Sequence, residues 1–356
     1  MRVLHVVGAR PNFMKAAPVY RALAERGHSQ VLIHTGQHYD ARMSDVFFSQ
    51  LEIPEPDENL NVGSGSHAQQ TAAIMSRFEP VVMAHSPQIV LVYGDVNSTV
   101  AAALVCSKLG ICVGHVESGL RSFDRTMPEE INRLLTDQLA DILFTPSSDG
   151  NDNLAREGIS PHKVHLVGNV MIDSVVRLLP KAEQEYARLA EELSLDEFGL
   201  ITLHRPSNVD DEAIFPAMLD VLDQLSSDLP MVFPVHPRTR NRWPERLAQC
   251  NANLRVIDPL GYVEFLALQK HAKLVITDSG GIQEESTFLG VPCLTLRENT
   301  ERPITVTMGT NILIGHDWNL LREHFHCALH GHHERSLLPP FWDGKAATRI
   351  ADILSR

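Results

Sequence analysis

Leu274-Val-Ile-Thr-Asp-Ser-Gly-Gly-Ile-Gln-Glu-Glu-Ser286 carries a short apolar run straight into Ser279, Gly280 and Gly281, and helix-forming residues follow without a gap. That order predicts a buried strand, a tight turn and a helix start. Such a turn presents backbone N–H groups at a helix N-terminus, which is an anion site by construction. Glu284 and Glu285 stand about one helical turn further on, placed to accept hydrogen bonds from a sugar's hydroxyls. An anion site followed by hydroxyl acceptors is the layout of a nucleotide's phosphates and ribose. The competing reading is an ordinary strand–turn–helix corner with solvated carboxylates.

Runs like 274–277 recur along the chain. In the first half they fall at 3–7, 31–34, 89–93, 112–116 and 142–144; in the second, at 200–203, 231–235, 254–257 and 293–296. Near-continuous apolarity over four or five residues fits strands buried on both faces, hence parallel sheets covered by helices. The alternation runs through both halves and predicts two Rossmann-like, doubly wound α/β domains, 1–170 and 171–342. The charged, helix-prone stretch 180–198 is expected at their junction. Ala346, Ile350, Ile353 and Leu354 lie on one helical stripe, so a final amphipathic helix over about 343–356 is expected to pack back on the first domain. Polar or charged groups follow most of the strands: Arg10, Gln37, His38, Asp95, Glu117, His204, His236, Ser279 and Arg297. Ligands of open parallel sheets bind beyond the carboxyl ends of the strands. Two such edges facing one another would form an interdomain active-site cleft.

Composition narrows the class. The chain has 356 residues, 44% hydrophobic and 21% charged, with a formal net charge of −13. That acidity argues against nucleic acid or an anionic membrane as partner. No apolar run approaches the roughly 18 residues of a spanning helix. Arg2-Val-Leu-His-Val-Val7 is too short and polar for a signal peptide. The five cysteines lack CxxC spacing and read as reduced thiols, so a cytoplasmic location is expected.

Gly8-Ala-Arg-Pro-Asn-Phe-Met-Lys15 follows the first strand, but it is not GxGxxG, and hydride chemistry loses support. Arg10 at that turn can fork onto a phosphate; Lys15 is placed to reach a ligand or solvent. Asp95 and Glu117 end two strands, and Pro128-Glu-Glu130 opens a helix. Glu129 either complements the helix dipole and pairs with Arg133, or joins Asp95 and Glu117 in acid–base work. His204-Arg205 and His236-Pro237-Arg238 end strands of the second half and suit phosphate or leaving-group contacts. Arg302 is expected near the same crevice. The tract from His324 to His333 has His326 and His330 one turn apart, but it lacks a closed ligand set, so no metal is expected.

Taken in order, Gly8-Ala-Arg-Pro, Gly36-Gln-His38, Tyr93-Gly-Asp95, His115-Val-Glu117-Ser-Gly-Leu-Arg121, Pro128-Glu-Glu130, Thr277-Asp-Ser-Gly-Gly-Ile-Gln-Glu-Glu285 and Thr300-Glu-Arg-Pro303 resemble the non-hydrolysing UDP-N-acetylglucosamine 2-epimerases over nearly the whole chain. The resemblance implies a GT-B-like pair of domains, a homodimer and no cofactor. It implies reversible conversion of UDP-N-acetylglucosamine to UDP-N-acetylmannosamine by UDP elimination and re-addition through a glycal. It implies Asp95, Glu117 and Glu129 as catalytic carboxylates, with His204 near the phosphates. It also implies nucleotide contacts from Arg10, His236, Phe265, Ser279, Gly280, Gly281, Glu285 and Arg302. Ser207 stands where relatives often carry Glu. The stretch 37–43 departs from the form associated with activation by a second substrate molecule, so weak or absent activation is expected. The alternatives are a 2-epimerase of UDP-2,3-diacetamido-glucuronate, whose branch the stretch 120–128 also resembles, and a hydrolysing epimerase releasing N-acetylmannosamine and UDP.

Overall fold

Apolar runs become strands in the computed structural model, which describes residues 1–36, 51–331 and 337–356. Gln37, His38, the stretch 37–43, His332 and His333 lie outside the described residues, as does the side chain of Arg10. Two compact units form: Met1–Ser174 together with Pro340–Arg356, and Val175–Pro339. The division falls inside the long helix Val170–Glu192.

The first unit holds a seven-stranded sheet of β1 (Arg2–Val7), β2 (Ser29–His34), β3 (Glu58–Asn59), β4 (Ile89–Tyr93), β5 (Cys112–Val116), β6 (Ile142–Thr145) and β7 (Val164–Leu166), in the order β3-β2-β1-β4-β5-β6-β7. The second holds a six-stranded sheet of β8 (Gly199–Thr202), β9 (Met231–Pro234), β10 (Leu254–Ile257), β11 (Leu274–Thr277), β12 (Cys293–Thr295) and β13 (Asn311–Leu313), in the order β10-β9-β8-β11-β12-β13. Every pairing among the described residues is parallel. All ten apolar runs are strands. Three further strands, β3, β7 and β13, lie at sheet edges, where short and half-exposed segments carry no apolar signature.

Burial explains the interior strands. β4 is buried at every position, and Leu4, Val6, Val90, Val92, Val113 and Leu143 belong to one core in the first unit. Phe215, Met218, Phe233, Leu274, Ile276 and Phe325 form the core of the second. Each fully buried side chain of this size contributes about 1.5–3 kcal/mol. No helix among the described residues is long and apolar enough to cross a membrane.

In both sheets the strand order reverses once. The chain leaves β1 for β2 and β3 on one side, then returns to place β4 on the other. It leaves β8 for β9 and β10, then returns to place β11. At such a reversal the two following connections diverge and leave a crevice beyond the strand ends. The turns after β1 and β4, and after β8 and β11, carry Arg10, Asp95, His204 and Ser279.

The segment after Pro339 belongs to the first unit. Its helix Ala346–Leu354 buries Ala346, Ala347, Ile350, Ala351 and Leu354, and Asp352 pairs with Arg26 at 2.5 Å. The N-terminus of this helix has no cap of its own. Asp173, from the helix Val170–Glu192, accepts the Ala346 N–H (3.1 Å) and the Ala347 N–H (2.8 Å). Burial pushes the Asp173 carboxyl up to about 6, against those bonds. Asp173→Ala leaves both N–H groups without this acceptor. It is expected to cost about 1–2 kcal/mol, measured as a lower midpoint in urea unfolding; an unchanged midpoint would dismiss the cap.

Candidate active site

The first unit builds its site on the reversal between β1 and β4. Asn12, on the helix Arg10–Glu25, accepts the Gly8 and Ala9 N–H groups (both 3.1 Å) and donates to the Tyr93 carbonyl (2.8 Å). One side chain thus ties the turn after β1 to the end of β4. Three residues on, Lys15 reaches Glu117 Oε2 at 2.5 Å, with both side chains buried. Lys15 also closes over Gly94, whose φ is +61°; a Cβ there would lie 2.8 Å from Nζ. Glu117 itself has φ +73°. That left-handed conformation costs a non-glycine residue about 1–3 kcal/mol, and strain of this kind collects at functional sites. Removing one partner of a buried ion pair costs a further 3–5 kcal/mol or so, so Lys15 and Glu117 hold one another in place.

Asp95 is held differently. Arg133 donates to its Oδ2 through Nε (2.9 Å) and approaches it with Nη2 (2.8 Å). The same guanidinium meets Glu130 at 2.6 Å, so Arg133 turns toward Asp95 and Glu130. Pro128 starts the helix Pro128–Leu139, and Glu129 in its first turn is half-buried. Asp95, Glu129, His67, Gln70, Asn97 and Asn132 share the wall of a cavity of about 310 Å³.

The second unit builds its site on the reversal between β8 and β11. The wholly buried Asp278, at the end of β11, accepts the His204 N–H (3.1 Å), the Arg205 N–H (2.9 Å) and the Asn208 amide (3.0 Å). Its Oδ1 lies 3.0 Å from His204 Nδ1. Burial alone would raise this carboxyl. The His204 ring, the Arg205 N–H and Asn208 outweigh that and keep it below the usual carboxylate range. Asp278 therefore locks the turn after β8 onto the turn after β11 and aims a half-exposed His204 outward.

Ser279 stands in extended conformation immediately before the helix Gly280–Leu289. The N–H groups of Gly280 and Gly281 lie in the first turn, where no helical acceptor exists. Arg302 covers this corner: a Cβ on Gly280 would lie 2.5 Å from its Nη1 and 2.8 Å from Glu301 Oε1. A side chain there would have to displace the Arg302–Glu301 pair. Arg302 is fixed by Glu284 (2.9 Å) and Glu301 (2.5 Å), and Glu301 also takes Arg297 at 2.7 Å. The arginines around the helix N-terminus are thus oriented before any anion arrives, which is the condition for strong electrostatic holding.

The two glutamates of the opening stretch part company. Glu284 is committed to Arg302. Glu285, 2% exposed, accepts from the Tyr262 hydroxyl at 2.9 Å. Tyr262 opens the helix Tyr262–His271, which also carries the half-buried Phe265. His236 is exposed and caps the short helix Pro237–Arg242 by accepting the Arg238 N–H at 3.2 Å. Among the described residues no group of three or more His, Cys, Asp or Glu side chains is arranged to hold a metal ion.

In the first unit the structure joins Lys15 to Glu117, and Asp95 to Glu129 through a common wall. In the second it gathers His204, Ser279, Gly280, Gly281 and Arg302 at one corner, with Glu285 on the following turn. Sequence reasoning missed Asp278, Glu301, Arg133 and Tyr262 as the groups that orient these residues. Asp278 and Glu301 stood inside stretches already singled out; an acid directly after a buried strand was the available signal.

Burial, helped by the nearby Glu284 charge and opposed by the Tyr262 bond, pushes the Glu285 carboxyl up to about 8. The unfolded chain releases this proton near pH 4.5 while the folded one keeps it. Stability attributable to Glu285 therefore falls as pH rises from about 4.5 to about 8 and is lost above that. Glu285→Gln is expected to raise the melting temperature relative to the parent at pH 8.5 more than at pH 5. Equal differences at both values would contradict this.

Comparison with known proteins identifies the family. Residues 21–355 match the family profile described as UDP-N-acetylglucosamine 2-epimerase. The chain is 42% identical to the UDP-N-acetylglucosamine 2-epimerase of Methanocaldococcus jannaschii, covering 100% of this chain and 99% of that one. The crystal structure of that enzyme in complex with UDP-GlcNAc and UDP matches with a TM-score of 0.92. The UDP-2,3-diacetamido-2,3-dideoxy-D-glucuronate 2-epimerase of Pseudomonas aeruginosa is also 42% identical, with 100% of both chains covered. The enzyme of Neisseria meningitidis bound to UDP-GlcNAc matches with a TM-score of 0.90 at 32% identity, again over the full length of both. These solved structures share the GT-B-like set of two Rossmann-like domains, and the chain belongs to the UDP-N-acetylglucosamine 2-epimerase family, a family of isomerases.

Proposed function

We propose that this protein interconverts UDP-N-acetylglucosamine and UDP-N-acetylmannosamine by inverting carbon 2 of the sugar. The observation that carries the reading is Glu117, a buried carboxylate in left-handed conformation, held by Lys15 one strand away from Asp95. Backbone strain held by a buried ion pair at a sheet's ligand edge supports a functional role for Glu117.

The proton on carbon 2 is not acidic, because no carbonyl adjoins that carbon. Elimination removes the difficulty. A carboxylate takes the proton, the C–H electron pair becomes the carbon 1–carbon 2 double bond, and the carbon 1–oxygen bond breaks to release UDP. A diphosphate oxygen of UDP then adds to carbon 1 of the glycal, and carbon 2 takes a proton on the opposite face. Electrons balance without a hydride carrier. Asp95, Glu117 and Glu129 are assigned the proton transfers, and Lys15 is assigned to hold Glu117. The N–H groups of Gly280 and Gly281, with Ser279, Arg302, His204, His236 and Arg10, are assigned the diphosphate, whose charge grows as it leaves. Glu285 is assigned to the ribose hydroxyls and Phe265 to the uracil face. A homodimer in the cytoplasm completes the reading.

The P. aeruginosa relative, as similar as the archaeal one, and the stretch 120–128 favour UDP-2,3-diacetamido-glucuronate as the second reading. Parallel assays with both sugars separate the two.

Incubation with UDP-N-acetylglucosamine in deuterated water, followed by NMR, is expected to show deuterium at carbon 2 and accumulating UDP-N-acetylmannosamine. Free N-acetylmannosamine with UDP would point to hydrolysis, and no label in either sugar would overturn the proposal. Asp95→Asn, Glu117→Gln and Glu129→Gln are each expected to lower kcat at least ~100-fold, with circular dichroism confirming folded protein. Near-parental turnover in all three would remove these acids from the mechanism.

A further inference from the structure

The helix Pro128–Leu139 buries an unusual face. Where a helix on a parallel sheet ordinarily turns aliphatic residues inward, this one buries Glu130, Arg133, Thr136 and Asp137. Glu130, Arg133 and Asp137 follow at i, i+3 and i+7, one stripe of the helix. Together they grip the two loops that follow β4 and β5 at the ligand edge. Glu130 accepts the Ser122 N–H (2.9 Å) and the Phe123 N–H (3.0 Å). Arg133 holds Asp95.

Asp137 is the third of the set and takes no part in the steps above. Its Oδ1 meets His115 Nδ1 at 2.6 Å, and both side chains are wholly buried. The far side of that ring, Nε2, meets the Gly94 carbonyl at 2.8 Å, one residue before Asp95. Asp137 Oδ2 accepts the Gly119 N–H at 3.1 Å, two residues after Glu117, and meets Arg121 at 2.7 Å. Gly119 has φ +82° and is pressed against Gly150, whose carbonyl would lie 2.5 Å from a Cβ. Arg121 is anchored in turn by Glu157 at 2.7 Å. A single carboxylate therefore reaches the loop of Asp95 and the loop of Glu117 from the helix that carries Glu129.

We propose that Asp137, acting through His115 and Gly119, is a positioning residue that sets the three catalytic carboxylates at fixed separations. The inference rests on the epimerase reading of those acids. Stability alone is a poor reason for the cluster: buried ion networks are often matched or bettered by apolar side chains of the same volume. What such a network supplies is geometry, and an error of about 1 Å at a reacting group costs up to about 100-fold in rate.

Asp137→Asn and His115→Gln test this beside the parent, Glu117→Gln and the Glu117→Gln/Asp137→Asn double variant. Thermal unfolding of the full chain serves as the marker of folded protein, and calorimetric UDP affinity checks the nucleotide contacts. With UDP affinity unchanged, both single variants are expected to lose about 10- to 100-fold in kcat while KM stays near parental. The double variant is expected to be no slower than Glu117→Gln alone, because residues acting through one another are not additive. Parental kcat in either soluble variant, losses that multiply in the double variant, or a loss that only tracks missing folded protein would each overturn the proposal. His115→Gln leaves the Asp137–Arg121–Gly119 contacts in place, so it decides the question if Asp137→Asn does not fold. A parent that fails to epimerise refutes the functional reading itself; an active parent matched by both variants refutes only this inference.

Discussion

A parallel sheet whose chain reverses direction must leave a gap where the order turns back. Right-handed crossovers carry successive connections away from the reversal on both sides, so the strand ends next to it have nothing packed above them. Each unit contains one such reversal, between β1 and β4 and between β8 and β11. All other features of the candidate site follow from filling the rims of those gaps with charge. Asn12 in the first unit and Asp278 in the second perform the same task with different chemistry: Asn12 pins the turn after β1 to the end of β4, and Asp278 pins the turn after β8 to the turn after β11.

The charges are paired before substrate arrives. Glu117 has Lys15, Asp95 has Arg133, and Arg302 has Glu284 and Glu301. Leaving any of these ions buried alone would cost several kcal/mol, more than most single contacts return. Pairing lowers that cost and also fixes direction, since a guanidinium held by two carboxylates has one orientation left for a third oxygen. The same reasoning applies to the charged inward face of the helix Pro128–Leu139. Its side chains trade hydrophobic burial for control over the loops after β4 and β5.

Interior strands were legible because burial on both faces demands an unbroken apolar run. β3, β7 and β13 were not: an edge strand of two or three residues, half-exposed, looks like any loop. The anion corner was legible too, because Ser279-Gly280-Gly281 combines a backbone requirement with a position directly after a strand. The sequence could not disclose that Lys15 faces Glu117, about a hundred positions away, or that Glu284 turns to an arginine while its neighbour Glu285 is buried against Tyr262. Those partnerships depend on which strands become neighbours, and adjacency in space is fixed by the reversals rather than by local composition. The partners of His115 were hidden for the same reason. Its two partners come from different elements and meet only once the sheet is assembled.

The ownership of residues 340–356 has a consequence for biosynthesis. Trp342, donating to the Pro146 carbonyl at 3.0 Å, and the Asp173-capped helix complete the first unit, yet they are synthesised after the whole of the second. The first unit thus cannot complete its packing until the whole of the second has been synthesised. A premature stop near residue 340 would therefore damage the half of the molecule that was translated earliest.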